Sequence, residues 1–258
     1  MLYPESESEI REILAWASEH QVGVIPWGRG TSAVGGVEAS RARGQRGLAV
    51  LDLKNLCKVV EIHKESMLAD VQAGIFGPEL EEALQSHGFT LAHYPESFEF
   101  STLGGWIATR SAGQQSTLYG KIEDMVESLR LVTPAMVLET PHLPAAAIGP
   151  DLDQMVIGSE GIFGVITQAR LSIKPFPERK FYTTVLFRRF MDGAEALRQV
   201  IQSGLKPATL RLSDAPETDF VFSFMESKDS FSLKRPRPWD CVGLEKRGFA
   251  RGNVPFLS

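Results

Sequence analysis

The sequence lacks several features that would place it in common functional classes. It has two cysteines among 258 residues, Cys57 and Cys241, which are too few for a disulfide framework and lack the spacing of a zinc site. No apolar run approaches the ~20 residues that span a bilayer, and the acidic N-terminus is unlike a secretory signal. A net charge of −5 argues against nucleic-acid binding, which usually needs a basic surplus. We expect a soluble protein of a reducing compartment, with no metal site.

What is present is a mixture of short strands and amphipathic helices, which predicts an α+β fold. Ser6 and Glu9 resemble a capping box before a helix whose apolar face is Ile10, Ile13, Leu14 and Ala17. Further elements are predicted as strands at 22–25, 48–53, 58–62, 67–73, 126–133, 136–139, 165–173, 182–187 and 209–212, and as helices from 77, over 192–203 and from 216. We predict a first domain over 1–176, the start of a second α/β domain over 177–226, and a tail without steady periodicity over 227–258.

A glycine-dense loop follows the first predicted strand. Gly28, Gly30 and Ala33 match the G-x-G-x-x-G/A pattern of dinucleotide-binding loops. A Rossmann loop opens directly into a helix, whereas residues 34–40 contain two adjacent glycines and no apolar stripe, so we reject that fold. The amides from Gly28 to Ser32 can instead turn inward around an anion, with hydroxyl donors from Thr31 and Ser32. A sharp surface turn is the alternative that this loop alone leaves open.

Two other stretches are rich in small residues. Residues 95–113 include five serines, threonines and glycines in their first eleven positions, and we expect such a run to pack poorly as a core and to suit close approach of the backbone to a ligand. Gly158-Ser159-Glu160-Gly161, with Gly164 after it, forms a third stretch. Three independent surface turns would also account for these patterns, but one extended ligand accounts for all three together.

Five motifs carry a resemblance to a known family. They are P-W-G-R-G-T-S at 26–32, P-E-S-F-E-F-S-T-L-G-G-W at 95–106, T-R-S at 109–111, G-S-E-G-I-F-G-V-I at 158–166 and A-T-L-R-L-S-D at 208–214. With these motifs the chain resembles the PCMH-type FAD-binding domain of the vanillyl-alcohol-oxidase superfamily, and within it the alkyldihydroxyacetonephosphate synthases. The first and fourth motifs are shared by many flavin oxidases, whereas the second and fifth are more specific to the synthases.

The resemblance implies a two-subdomain flavin-binding fold and a noncovalently bound FAD, since no histidine or cysteine lies in a motif for covalent attachment. His93 matches an active-site histidine and Arg211 matches an arginine that supports the flavin and substrate region. A surface histidine and an ordinary ion pair are the plainer alternatives. The residues that the resemblance assigns to FAD are Pro26, Trp27, Gly28, Arg29, Gly30, Thr31, Ser32, Pro95, Glu96, Ser97, Phe98, Glu99, Phe100, Ser101, Ala108, Thr109, Arg110, Ser111, Glu160, Gly161, Ile162, Phe163, Gly164, Val165 and Ile166.

The implied reaction exchanges the acyl chain of acyl-dihydroxyacetone phosphate for a fatty alcohol. The sequence departs from the family in three places, one of which is Met136, where a turn glycine is common. Arg29 replaces a glycine, which costs strain if that position needs a positive φ. The family's second domain continues further and supplies a tyrosine and histidines, but no histidine follows His142 and no tyrosine follows Tyr182. We therefore expect a partial substrate domain and impaired activity.

Two other functions stay open. One is an FAD-linked oxidoreductase of the D-lactate or glycolate dehydrogenase type, which shares the fold and the two common loops. The other is a catalytically inactive FAD-binding fragment. In each case we expect a small or lipid-like substrate or ligand and allow for a homodimer. We expect a cytoplasmic location if the protein is bacterial, and a peroxisomal one only if it is eukaryotic with a targeting signal that this sequence does not show.

Overall fold

The computed structural model describes residues 1–40, 44–143, 147, 149–229 and 256–257. The chain forms two compact units, Met1–Pro177 and Glu178–Ser258, and the division lies one residue after the predicted end of the first domain. Within the described residues, no helix combines the length and apolar character needed to cross a membrane. The elements of the first unit are α1 (Glu7–Glu19), β1 (Val22–Trp27), β2 (Gly47–Asp52), β3 (Val59–His63), β4 (Leu68–Gln72), α2 (Gly77–Gln85), β5 (Phe89–Thr90), a single 3₁₀ turn (Phe98–Phe100), α3 (Leu103–Thr109), α4 (Ser116–Tyr119), α5 (Ile122–Met125), β6 (Val126–Val132), β7 (Val137–Glu139), α6 (Leu152–Val156), β8 (Val165–Ser172) and β9 (Lys174–Pro175).

The first helix and the parallel pair β1–β2 form one small layer that leads into the glycine loop. The Ser6 hydroxyl accepts a hydrogen bond from the Glu9 amide at 3.2 Å, as the capping pattern predicts. Ile10 and Leu14 of α1 are buried and pack in one apolar cluster with Leu51 of β2. β1 pairs with β2 from Val22–Gly47 to Trp27–Asp52, two residues beyond its predicted end. This pairing fixes the direction in which the chain enters the loop at Gly28.

A five-stranded sheet in the order β3-β4-β8-β6-β7 forms the rest of the first unit. Neighbouring strands are antiparallel throughout. Helices α2, α3, α5 and α6 contribute apolar residues to the main core on this sheet, including Leu84, Ile107 and Ile122, which are fully buried. The short pair β5–β9 joins the end of α2 to the end of the unit. The sheet thus provides a rigid support for α3 and the loop that precedes β8.

The stretch from 103 to 107 differs from the prediction, because its residues belong to the core. Helix α3 begins at Thr102, whose hydroxyl accepts from the Gly105 amide, and buries Leu103, Trp106 and Ile107. A Cβ on Gly104 would lie 2.9 Å from the Ala73 Cβ and 3.0 Å from the Ala73 carbonyl oxygen. The expectation of poor packing is therefore wrong here. Small residues in this stretch let a helix approach the backbone of the core closely.

The second unit contains β10 (Val185–Leu186), α7 (Phe190–Gln202), β11 (Leu212–Ser213), α8 (Ala215–Asp229) and β12 (Phe256–Leu257). The strands form a small antiparallel sheet in the order β10-β12-β11, and β10 and β11 are shorter than predicted. Helical spacing predicts that Ala194, Leu197, Val200 and Ile201 of this helix face inward. Instead Gly193 is buried in α7, and Ile201 is 47% exposed. The helix approaches β11 at its first turn, where a Cβ on Gly193 would lie 2.6 Å from Leu212. Most of the predicted tail, 230–255 and 258, lies outside the described residues.

Candidate functional site

A cavity of about 360 Å³ lies in the first unit. Its wall contains parts of all three stretches that the sequence singles out, which are far apart along the chain. Sixteen of the residues predicted to bind FAD lie on this wall, namely Pro26, Trp27, Gly28, Arg29, Gly30, Thr31, Ser32, Ser97, Ser101, Ala108, Thr109, Ser111, Glu160, Gly161, Gly164 and Ile166. The fold therefore brings the three stretches to one concave surface, as a single extended ligand requires.

Nine further residues on the wall were missed by the sequence analysis, and most of them carried a usable signal. Thr102, Gly104, Gly105 and Trp106 lie inside or directly after the motif at 95–106, so the motif itself could have found them. Ala33, Val34, Gly36 and Val37 continue the glycine loop. Leu53 follows strand β2, which pairs in parallel with the strand that leads into the loop, and only this pairing shows that it reaches the cavity.

The glycine loop presents backbone donors that have no partner among the residues the structure describes. Among the described residues, no acceptor takes a hydrogen bond from the amides of 28–32. Gly30 has a left-handed backbone (φ +67), and a Cβ there would lie 2.4 Å from the Trp27 ring. A Cβ on Gly28 would lie 2.4 Å from the Thr102 hydroxyl. Glycine at these positions thus leaves a narrow, donor-lined surface of the kind that binds oxyanions.

Arg29 fits this loop without the strain that a left-handed backbone would impose. It is absent from the non-glycine residues with positive φ, which are Gln21, Met67, Ala92, Arg110 and Glu160. Its guanidinium carbon lies 4.4 Å from the centre of the Phe76 ring, within the range of a cation–π contact. The arginine therefore adds a positive charge beside the donor-lined surface, at no backbone cost.

The loop before β8 is attached to helix α3. The amides of Gly158 and Glu160 donate to the carbonyl oxygens of Ile107 and Ala108, both at 2.9 Å. The Arg110 guanidinium donates to the carbonyl oxygens of Gln154 and Ile157, both at 3.1 Å. Arg110 is not on the cavity wall. It holds the segment before the loop in place, and so acts on the cavity only through the position of that loop.

Eight other residues predicted to bind FAD also lie off the wall. For several of them the packing or exposure of the side chain explains why. Val165 is 1% exposed and belongs to a core cluster. Phe98 packs between the rings of Tyr94 and Trp106, at 4.9 and 6.2 Å. Ile162 points to solvent with 78% exposure. The full set off the wall besides Arg110 is Pro95, Glu96, Phe98, Glu99, Phe100, Ile162, Phe163 and Val165.

His93 is buried directly behind the wall, so the surface alternative is wrong. It is 1% exposed, and its Nε2 lies 2.7 Å from the hydroxyl oxygen of Ser111, a wall residue. Its ring meets Trp106 edge-on at 5.1 Å. Burial lowers the pKa of His93 from 6.5 to about 4, against a smaller opposing effect of the Glu123 charge. His93 is therefore neutral near pH 7, and its Nε2 can either donate a hydrogen bond to the Ser111 hydroxyl or accept one from it.

A buried carboxylate fixes the turn that precedes His93. Ala92 has a left-handed backbone (φ +55), which a non-glycine residue seldom adopts. The Glu81 carboxylate is 5% exposed and accepts hydrogen bonds from the amides of Leu91 and Ala92 at 3.0 and 2.9 Å. It also accepts from the hydroxyl of Thr90 at 2.7 Å. Glu81 therefore determines where the chain delivers His93.

Arg211 lies in the second unit, next to β11. Its guanidinium forms an ion pair with the Glu217 carboxylate at the start of α8, and 60% of its side chain is exposed. Within this unit Arg211 therefore forms the ordinary ion pair that the sequence left open as an alternative. A supporting role for Arg211 near the flavin stays a prediction from the sequence.

The residues on the wall fit the FAD that the sequence predicts. The unbonded amides of 28–32 and the hydroxyls of Thr31 and Ser32 supply donors for a diphosphate. Leu53, Trp106 and Ile166 add apolar surface to the same cavity, as the aromatic rings of a flavin need. Both chemical halves of the cofactor thus find matching surface in one cavity.

Comparison with known proteins agrees with this chemistry. A family model described as "FAD binding domain" matches residues 1–136. The alkyldihydroxyacetonephosphate synthase of Trypanosoma brucei brucei is 39% identical over 89% of this chain and 37% of its own length. The glycolate oxidase subunit GlcD of Bacillus subtilis is 31% identical over 84% of this chain and 45% of its own. The chain thus spans about two-fifths of the length of these relatives.

The fold also matches a solved structure. A chain described as "alkyldihydroxyacetonephosphate synthase in P212121" superposes with a TM-score of 0.84 at 34% identity, over 99% of this chain and 45% of that one. The predicted α+β fold of PCMH type and the predicted resemblance to the synthase group are therefore confirmed.

Proposed function

Because this chain belongs to the family of FAD-binding domains and FAD is accordingly its cofactor, we propose that it holds FAD noncovalently in the cavity between the loops at 28–36 and 158–164. The unbonded amides of 28–32 are the observation that carries this proposal. Hydrogen bonds to a charged acceptor contribute roughly 1.5–3 kcal/mol each, so a few amides suffice to bind a diphosphate. The hydroxyls of Thr31 and Ser32 add donors on the same side.

The reaction that we propose is the exchange of acyl for alkyl on acyl-dihydroxyacetone phosphate, a step of ether lipid synthesis. Bound flavin supplies an electrophilic centre that the protein positions and polarises. The chain's own contribution is an apolar part of the wall at Trp106 and Ile166, and a neutral His93 that is hydrogen-bonded to Ser111. His93 can receive or return a proton through the Ser111 hydroxyl. The likeness to the Trypanosoma synthase supports this reaction over others.

The proposal also covers the domain boundaries and the role of Arg211. We assign residues 1–176 to FAD binding and 177–226 to part of the substrate domain, where Arg211 supports the flavin and substrate region. A small or lipid-like substrate follows from the proposed reaction. A homodimer, and a cytoplasmic or peroxisomal location, stay predictions from the sequence.

A second candidate function is FAD-linked oxidation of D-lactate or glycolate. It is favoured by the likeness to the Bacillus glycolate oxidase subunit. Dye reduction with D-lactate or glycolate measures this activity, whereas incorporation of labelled fatty alcohol into acyl-dihydroxyacetone phosphate measures the exchange. Bound flavin with neither activity would identify the chain as a catalytically inactive FAD-binding fragment.

Titration of the purified chain with FAD tests the cofactor site, by the visible flavin band and the quenching of flavin fluorescence. We expect stoichiometric binding, and release of all flavin on acid precipitation because the attachment is noncovalent. Thr31→Val removes a hydroxyl on the cavity wall and should weaken FAD binding about tenfold, the loss of one bond to a charged group. Thr117→Val, at an exposed position away from the wall, is the matched control and should bind as the wild type does. Failure of the wild type to bind FAD would refute the proposal.

A further inference from the structure

Two buried polar atoms behind the cavity wall have no hydrogen-bond partner among the described residues. They are Nδ1 of His93 and Oε2 of Glu123. Buried polar side-chain atoms are almost always hydrogen-bonded, either to protein or to ordered water. One such atom is an exception, but two on neighbouring residues suggest a shared partner such as an ordered water.

Ser111 connects the two residues. Its carbonyl oxygen accepts a hydrogen bond from the Ile122 amide at 3.2 Å, which places Glu123 at the start of α5 beside it. Its hydroxyl oxygen lies 2.7 Å from Nε2 of His93. The Glu123 charge acts directly on the His93 ring, where it raises the pKa against the larger effect of burial. His93 and Glu123 are therefore electrostatic neighbours, and each has one buried atom without a partner among the described residues.

The Glu123 carboxylate is held in place and charged by its other oxygen. Oε1 pairs with the Lys121 ammonium and lies 3.8 Å from Nη1 of Arg110. Burial would raise the pKa of Glu123, but the hydrogen bond from Lys121 and the nearby cations lower it overall. Oε2 thus remains a fixed, anionic acceptor that points inward.

We propose that Glu123 is a positioning residue, which keeps the proton of neutral His93 on Nδ1 through one ordered water that bridges Nδ1 and Oε2. A water in a polar buried site typically makes about three hydrogen bonds, and here it would satisfy both orphan atoms. The water would then accept from Nδ1–H and donate to Oε2, which directs the positive end of the ring dipole towards the anion. The tautomer of a histidine is set in this way by the partner of its other nitrogen.

The consequence for the cavity follows from hydrogen-bond chemistry. With the proton on Nδ1, Nε2 accepts, so the Ser111 hydroxyl donates inward to His93. The lone pairs of Ser111 are then left for the cavity, which makes this part of the wall an acceptor for an N–H or O–H group of a bound molecule. This last step rests on the proposed function, because it assumes that FAD or its substrate occupies the cavity.

The tautomer can be measured on the full chain without FAD. Long-range ¹⁵N–¹H correlation spectra of protein with ¹⁵N-labelled histidine distinguish a protonated from an unprotonated ring nitrogen, and the chain has five histidines to assign. Near pH 7 we expect His93 to carry its proton on Nδ1. In Glu123→Gln the negative charge is lost and the amide can donate, so the major population should move to the Nε2-protonated tautomer. Glu65→Gln, at an exposed site, is the control and should change nothing.

Glu123→Asp provides the conservative rescue. It retains the charge, and a bridging water can span the extra distance, so the Nδ1-protonated tautomer should persist. An Nε2-protonated His93 in the wild type would overturn the proposal even if Glu123→Gln did not fold. An unchanged tautomer in folded Glu123→Gln would overturn it as well. Because these spectra need no cofactor, their outcome is independent of whether the chain binds FAD.

Discussion

The loop at 28–36 and the segment at 95–111 are both rich in small residues, but the structure uses them differently. In the loop, the amides of cavity-wall residues have no hydrogen-bond partner in the described part of the chain. In the segment, Gly104 lets helix α3 approach Ala73 to near contact distance, and the neighbouring Leu103 and Ile107 are fully buried. The same compositional signal therefore has two physical causes, which are approach of the backbone to a ligand and approach of one backbone to another.

This difference predicts which measurement responds to a substitution. Changes in the segment should affect the free energy of unfolding of cofactor-free protein. Changes in the loop should affect FAD affinity more than stability. The contact between Gly28 and Thr102 joins the two regions, so a substitution there should affect both.

The largest effect is expected at Glu81, which fixes the turn before the segment. Its carboxylate accepts from Thr90, Leu91 and Ala92. Glu81→Gln replaces one acceptor oxygen by a donor, which faces other buried donors. We expect the free energy of unfolding to fall by about 3 kcal/mol, since bonds to charged groups are worth ~1.5–3 kcal/mol each. Urea denaturation of cofactor-free protein measures this, with exposed Glu82→Gln as control. An equal loss in both variants would contradict the account.

Two adjacent glycines in α3 should respond with opposite signs. Gly104→Ala brings a methyl group to 2.9 Å of Ala73, and overpacking of this kind costs ~1–3 kcal/mol. A Cβ on Gly105 meets no atom closer than 3.4 Å, so Gly105→Ala should stabilise the helix by up to ~1 kcal/mol. The urea unfolding midpoints of the two variants, compared with that of the wild type, test these opposite signs. A Gly104→Ala protein as stable as the wild type would show that close packing is not the reason for this glycine.

The buried His93 should make stability depend on pH. Burial lowers the pKa of its folded state from 6.5 to about 4, so between these values the unfolded chain binds a proton that the folded chain does not. Stability is then fully present above pH 6.5 and falls as the pH drops towards about 4, by up to ~1.4 kcal/mol per pH unit. Urea unfolding across this range should show a shallower slope in His93→Gln. Exposed His87→Gln should keep the wild-type slope, and an unchanged slope in His93→Gln would contradict a neutral buried histidine.

The smallest effect is expected where the two regions touch. Gly28→Ala places a methyl group against the Thr102 hydroxyl, which accepts from the Gly105 amide as the cap of α3. Loss of such a cap costs ~1 kcal/mol. Thr102→Ala loses the same cap, so the double variant should cost no more than either single variant. A double-mutant cycle by urea denaturation checks this, and strictly additive losses would show that the contact is unimportant.

Much of the fold could be predicted from sequence, because its signals are local. The cap at Ser6 and the apolar spacing of Ile10, Leu14 and Ala17 placed the first helix within a residue of its observed start. Strands β2, β4, β6 and β8 likewise lie within two residues of their predicted bounds. In the second unit the strands are short and α7 packs by a glycine, so periodicity placed Ile201 on the wrong side. Local patterns do not record which turn of a helix meets its neighbour.

The candidate site was predictable in outline but not in its details. The motifs identified the three wall segments, and the structure brings sixteen of their residues together. Sequence could not separate wall residues such as Ser97 from adjacent packing residues such as Phe98, because both lie in one motif. It also missed Glu81 and Glu123, since a carboxylate buried by contacts distant along the chain has no local signature.

Amide hydrogen exchange at 28–32 tests the central claim most directly, because it observes the proposed donors themselves. With saturating FAD, these amides should exchange at least about tenfold more slowly than in cofactor-free protein, as expected for bonds of ~1.5–3 kcal/mol to a charged acceptor. Amides of the turn at 64–66, away from the cavity, should exchange at the same rate in both. Loop amides that exchange equally fast with FAD bound would contradict the account.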